Sequence, residues 1–208
     1  MSSSPSSLSD VKALGGIGAI LVLFTAVPTV GWALGIAGFV MILVAINRIS
    51  RLVNDKSIFE NMLTAIILAI GAVAVGTVTI VGTIYRVLGI GTFVGSKFVF
   101  PSSLPPSEFA GLALGVIAGL VVVWALLVAS AVFVRKSLTT TSMKLNVGLF
   151  GTAGLLYLIG AATAIIAVGF ILIFVADILL AVSFFSMKDE LPRAPDSGRG
   201  QTVTATTS

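Results

Sequence analysis

The chain has no histidine and no cysteine, and only 10% of its 208 residues are charged. The first two absences exclude bis-His haem ligation, iron–sulfur clusters, zinc held by nitrogen and sulfur, thiolate catalysis and any His-dependent triad. Acids are scarce as well, eight against twelve Lys and Arg. Intramembrane aspartyl chemistry needs two facing carboxylates, and Asp177 alone lies inside an apolar run. All six lysines fall outside those runs, which excludes a buried Schiff base, and no GK[ST] phosphate loop is present. The chain is therefore expected not to be an enzyme, with no catalytic residue, no cofactor and no metal.

The remainder is mostly apolar: 57% of residues are hydrophobic and the mean hydropathy is +1.16. Water-soluble domains carry about 25% charged residues, so the expected solvent of this chain is lipid. Four runs, residues 13–46, 61–85, 109–134 and 145–187, hold nearly all the apolar content, and Asp177 is their single formal charge. A helix needs about 20 residues to cross about 30 Å of hydrocarbon. The runs of 34 and 43 residues are too long for one crossing, and each reads as a tight helical hairpin. Val30-Gly31-Trp32, with Pro28 before it, and Val168-Gly169-Phe170 supply the turn residues. The expectation is an all-α integral membrane protein with a six-transmembrane-helix bundle. Its spans fall at about 13–29, 31–47, 60–85, 109–134, 145–166 and 168–187.

Charge placement supplies an independent check, because Lys and Arg beside membrane helices stay on the cytoplasmic side. With six spans, Lys12, Arg48, Arg51, Lys56, Arg135, Lys136, Lys144, Lys188, Arg193 and Arg199 share one side, against Arg86 and Lys97 on the other. Both termini are thus expected in the cytoplasm and the protein in the cell membrane. The cations come in small groups beside helix ends and not on one face, which argues against a nucleic-acid partner. No stretch outside the runs is long enough to fold alone, so function is expected in the bundle or its short loops.

Residues 1–12, rich in serine and without a basic leader pattern, and residues 188–208, rich in Pro, Gly and Thr, read as disordered tails. Ser57 and Glu60 have capping-box spacing ahead of the third span. The segment 86–108, with alternating glycines and phenylalanines and three prolines, is expected to rest on the outer headgroups or to serve as a partly ordered connector. A re-entrant gate is the other reading.

Small residues make the clearest pattern inside the spans. Ala65, Ala69, Ala72, Gly76, Thr79 and Thr83 recur every three or four residues on one helix stripe. Gly111, Gly115 and Gly119 make two overlapping GxxxG steps, which let backbones approach closely. These residues are assigned to helix packing, within the chain or along a homo-oligomer seam.

Asp177 sits near the middle of the last span, where a carboxylate costs about 2.5–3.5 kcal/mol on insertion scales. Its neighbours at i±3 and i±4 are Ile173, Phe174, Leu180 and Ala181, so a partner must come from another helix. Thr79, Thr83, Thr163 and Tyr157 are the candidates. A structural hydrogen bond and an intramembrane proton or cation site, the latter with Thr79 and Thr83, both remain open.

The segments ALGGIGAIL (13–21), PTVGWALGIAG (28–38), DKSIFENM (55–62), GTAGLLYLIGAATAI and VGFILIFVADILLAVSFFSM occur in that order along the chain. In them the chain resembles the mostly archaeal multi-pass membrane proteins grouped as domain of unknown function 996. The resemblance implies a polytopic archaeal membrane protein without an assigned activity, and it carries over no functional residues. That family's pattern has no fixed acid at the position of Asp177.

Two functions follow as expectations. One is a non-catalytic membrane protein, structural or an accessory subunit, which partners lipid and either itself or other membrane subunits. The alternative is a small channel or a proton- or cation-coupled transporter that uses Asp177.

Overall fold

A computed structural model of the chain describes residues 8–87, 93–94, 97–98, 106–166 and 168–188. The helices are α1 (Leu8–Leu23), α2 (Gly31–Leu52), α3 (Lys56–Val87), α4 (Pro106–Leu145), α5 (Gly148–Ala162) and α6 (Val168–Phe185). A 3-10 turn follows α1 at Phe24–Ala26 and another follows α5 at Ala164–Ile166. Between α3 and α4, β1 (Phe93–Val94) pairs antiparallel with β2 (Lys97–Phe98), Phe93 opposite Phe98. Among the described residues the architecture is thus helical apart from this two-residue ladder. By length and composition α2, α3, α4 and α6 could each cross a membrane, and α5 is a shorter apolar helix.

Chain reversals depend on a few residues that accept a left-handed backbone. Asn54 (φ 52°) turns α2 into α3, and Asn146 (φ 54°) turns α4 into α5; Asn tolerates that region better than most residues. Thr29 is left-handed too, at φ 76°, inside a turn closed by the Val30 N–H on Pro28 O at 3.0 Å.

Helix ends depart from the expected spans in several places. Helix α1 starts at Leu8, inside the segment expected to be a disordered tail, because Leu8 and Val11 are buried. The expected loops around Arg48–Lys56 and Arg135–Lys144 are mostly helical, leaving only short turns at Asn54 and Asn146. In α4 this extension has a cause: Ser137, Leu138, Thr141 and Leu145 are all buried and lie on one helical face. Helix α5 ends at Ala162, four residues short of expectation. The reversals themselves fall at residues 27–30 and after Thr163, so Gly31 opens α2 and Gly169 is the second residue of α6. There they admit close backbone: a Cβ on Gly31 would stand 2.7 Å from Thr25 O, and one on Gly169 would collide with Gly160 O. Residues 1–7, 189–208 and most of the expected headgroup segment 86–108 lie outside the described residues.

At the start of α3, Asp55 takes the capping role expected of Ser57. Its Oδ1 accepts from the Ser57 N–H at 3.1 Å and from the Ser57 hydroxyl at 2.7 Å. Its Oδ2 is 3.3 Å from Lys144 Nζ, tying the α2–α3 turn to the end of α4.

Packing runs in a sequence of neighbours: α2 on α1, α1 on α6, α6 on α5, α5 on α4 and α4 on α3, with α2 also touching α3. The core gathers where the charged helix ends lie. Val11, Ile46, Ile49, Ile58, Leu138, Phe150 and Phe184 are fully buried there, and the rings of Phe150 and Phe184 meet edge to face at 5.1 Å. Toward its own N-terminus α4 outruns this core. The Trp124 indole N–H donates to Ala162 O, the open end of α5, at 3.2 Å. Eighteen residues of α4 precede Trp124, and Leu114, Ile117 and Leu120 among them are 70%, 58% and 60% exposed.

Candidate functional site

Asp177 is buried on α6, and the Tyr157 hydroxyl of α5 donates to its Oδ1. A phenol is a fitting partner there, since it brings one O–H donor at the end of a large apolar ring. The hairpin geometry produces the meeting. Gly160 and Gly169 bring α5 and α6 into backbone contact; about one turn back along α5 and two turns on along α6, Tyr157 lies opposite Asp177. Of the four candidate partners, the structure therefore brings Tyr157 to the acid.

The threonines go elsewhere. Thr163 Oγ1 donates to Ile159 O at 2.8 Å, Thr79 Oγ1 to Val75 O at 2.9 Å and Thr83 Oγ1 to Thr79 O at 2.7 Å, all within or next to their own helix. Thr79 and Thr83 line an apolar groove of about 320 Å³ whose walls come from α3 and α4 alone. Asp177, Thr79 and Thr83 thus do not form one site. Among the described residues no group of three or more His, Cys, Asp or Glu is placed to hold a metal ion.

The small-residue stripe of α3 lies along α4. Ala65 and Ala72 are buried, Ala69 is half-buried and Gly76 approaches Val123. Two hydroxyls of α4 lock the seam: Ser130 Oγ donates to Ala65 O at 2.8 Å, and Ser137 Oγ to Ile58 O at 2.7 Å. The donors are seven residues apart, as are the acceptors, so a heptad of two antiparallel helices is pinned at both ends. Sequence reasoning did not single out these serines; the signal available was their seven-residue spacing.

The glycines of α4 divide. Gly119 abuts Thr79, and a Cβ there would fall 2.5 Å from Thr79 Oγ1. Among the described residues nothing lies within 4 Å of a Cβ on Gly111 or Gly115, so within the chain Gly119 is the glycine of the three that meets another helix, while the homo-oligomer alternative for this face stays open. Closer glycine contacts occur where α1 crosses α2: a Cβ on Gly18 would be 2.7 Å from Gly38 O and 3.0 Å from Ile42 N. Elsewhere along α1, Gly15 and Gly16 receive the rings of Phe184 and Phe185.

A family model described as "Protein of unknown function (DUF996)" matches residues 34–178. An uncharacterized protein of the archaeon Methanocaldococcus jannaschii is 36% identical over 184 residues, which cover 88% of this chain and 95% of that protein. No solved structure matches the chain. Matched by the model through most of its helical region, and by this relative almost end to end, the chain belongs to the DUF996 family of proteins of unknown function.

Proposed function

We propose that the chain is a multi-pass membrane protein acting without catalysis, as an assembly or accessory subunit that docks through the part of α3 and α4 beyond Trp124. The observation that carries this reading is that pair of helix ends, uncovered among the described residues. Val78 and Ile80 of α3 and Leu114 and Ile117 of α4 are 58–72% exposed, and among the described residues nothing lies within 4 Å of a Cβ on Gly82, Gly111 or Gly115 beside them. Exposed apolar patches of this extent suit lipid or another apolar helix, and flat glycine surface suits the helix.

Six spans with both termini in the cytoplasm is the topology in keeping with the charges. Lys12, Arg48, Arg51, Lys56, Arg135, Lys136, Lys144 and Lys188 lie toward one end of the helices, and Arg86 toward the other. Single cysteines test it, since the chain has none of its own. Ser102→Cys is expected to react with an impermeant maleimide from outside and Thr140→Cys from inside; labelling from the same side refutes the topology. Native mass spectrometry of the protein gently extracted from its own membranes tests the role. A stoichiometric foreign subunit or a homo-oligomer supports it, whereas a lone monomer refutes it.

A second reading, a proton- or cation-coupled transporter, is favoured by the buried Tyr157–Asp177 pair, because an intramembrane acid is a functional candidate by default. Liposome flux that vanishes in Asp177→Asn supports this second reading, and unchanged flux ends it.

A further inference from the structure

Where the apolar run of α4 ends, the helix carries two adjacent cations, Arg135 and Lys136. With Thr139 of α4, Asn61 of α3 and Leu158 of α5 they line a cleft of about 500 Å³ between the three helices. One turn back along α4, Val132 also faces it. Its wall is accordingly divided, with aliphatic side chains beside a guanidinium, an ammonium, an amide and a hydroxyl.

Thr140 also lines the cleft, but its hydroxyl donates to Lys136 O at 3.0 Å; the other polar side chains there are uncommitted. Among the described residues neither Arg135 nor Lys136 has an ion-pair partner; the ion pair of this region, Lys144 with Asp55, lies near the turns. Glu60 precedes Asn61 in sequence but does not line the cleft. The Lys136 ammonium rests 5.1 Å above the Phe133 ring, which keeps it low against apolar surface. No described protein group accepts from the Asn61 amide or the Thr139 hydroxyl. Two cations and two neutral donors around one opening fit a tetrahedral oxyanion, the guanidinium offering its paired N–H groups to two oxygens.

We propose that this cleft binds the phosphate of an anionic membrane lipid, with Arg135 and Lys136 on the phosphate oxygens, Asn61 and Thr139 donating hydrogen bonds, and an acyl chain along Val132 and Leu158. The assignment rests on the membrane reading above. On that reading residues 109–134 lie in hydrocarbon and Arg135 at the level of the headgroups, where basic pockets between helices take anionic lipids. A soluble phosphate compound shares the oxyanion chemistry but leaves the aliphatic wall unused.

The test uses the full chain in mild non-ionic detergent, with phosphatidylglycerol titrated in and adducts counted by native mass spectrometry. Two surface cations, worth about fivefold each, predict a roughly thirty-fold loss of affinity in Arg135→Gln/Lys136→Gln. Phosphatidylcholine binding is expected to be equal in both proteins, and Arg48→Gln/Arg51→Gln, the same change in net charge elsewhere, is expected to leave phosphatidylglycerol binding intact. Equal phosphatidylglycerol binding in wild type and Arg135→Gln/Lys136→Gln overturns the proposal. Displacement of the lipid by excess inorganic phosphate overturns the lipid assignment in favour of a soluble anion. Should the double variant not fold, Lys136→Gln alone is expected to lose about fivefold, and no loss overturns the proposal equally. Alkaline carbonate extraction of the expressing membranes separates the two levels. Wild type released to the supernatant defeats the membrane reading, while retention together with equal lipid binding in the variants defeats only the cleft.

Discussion

Two glycines in helix interiors give a measurement in which one large term cancels. Alanine at Gly18 places a methyl 2.7 Å from Gly38 O, 2.9 Å from Met41 Cβ and 3.0 Å from Ile42 N. Backbone on two of these three sides means that α1 and α2 must separate, by about 0.7 Å to reach ordinary contact, and such overpacking costs about 1–3 kcal/mol. Alanine at Gly115 meets nothing within 4 Å among the described residues. Both changes gain the same helix propensity, about 0.8–1 kcal/mol. The difference between the variants therefore isolates the collision. Gly18→Ala should be less stable than Gly115→Ala by about 1–3 kcal/mol, a factor of roughly 5 to 150 in the unfolding equilibrium. Unfolding by SDS in mixed micelles, followed by the fluorescence of Trp32 and Trp124, reads it. Equal stability of the two variants, or a Gly115→Ala protein destabilised independently of its concentration, would refute the reasoning. A Gly115→Ala loss that grows with dilution belongs instead to association through the α4 glycines.

Other expectations follow from the same contacts. Tyr157→Phe and Asp177→Leu in a double-mutant cycle should show a coupling of about 0.6–1.7 kcal/mol, the range for hydrogen bonds between membrane helices; additivity would separate the two residues. Ser130→Ala and Ser137→Ala should each lower stability by about 0.6 kcal/mol on the same scale, with the double variant additive because the sites are seven residues apart, and SDS unfolding would detect either failure. The Ser57 hydroxyl, and after burial's opposing effect Lys144, hold the Asp55 carboxyl below its ordinary value of 3.8. Its contribution is consequently complete above pH 3.8 and is lost as pH falls through the lowered folded value. Asp55→Asn should then be less stable than wild type at neutral pH and converge with it in acid, and unfolding curves that stay parallel across that range would contradict the assignment.

Much of the helical plan was legible in the sequence because apolar runs of known length translate into helices. The stripe from Ala65 to Thr79 was legible for a related reason: residues three and four apart share a face, and α4 covers that face. The continuation of α4 to Leu145 was hidden by composition. Arg135, Lys136 and a run of hydroxyls resemble a loop, while the buried face is made of Ser137 and Thr141 as well as Leu138 and Leu145. Serine can line such a face when its hydroxyl finds a carbonyl on the neighbouring helix, as Ser137 does with Ile58. Which partner meets Asp177 depends on the register between helices. A period within one helix carries no such information, so Tyr157 could be placed among the candidates but not chosen.

On the membrane reading proposed above, the contact between Trp124 and the end of α5 has a consequence for the surrounding bilayer. Helix α5 has 15 residues, about 22 Å of rise, whereas the apolar stretch 109–134 of α4 rises about 39 Å. A bilayer of about 30 Å is too thick for the first and too thin for the second. On that reading the protein's perimeter carries a step: lipid would compress along the hairpin flank and stretch or tilt along α3 and α4, at a fraction of a kcal/mol for each ångström of mismatch. Such a body relieves the mismatch by leaning, by sitting where thin and thick membrane meet, or by turning its tall flank toward a neighbour of equal height, so that membrane thickness orients it before any specific contact forms.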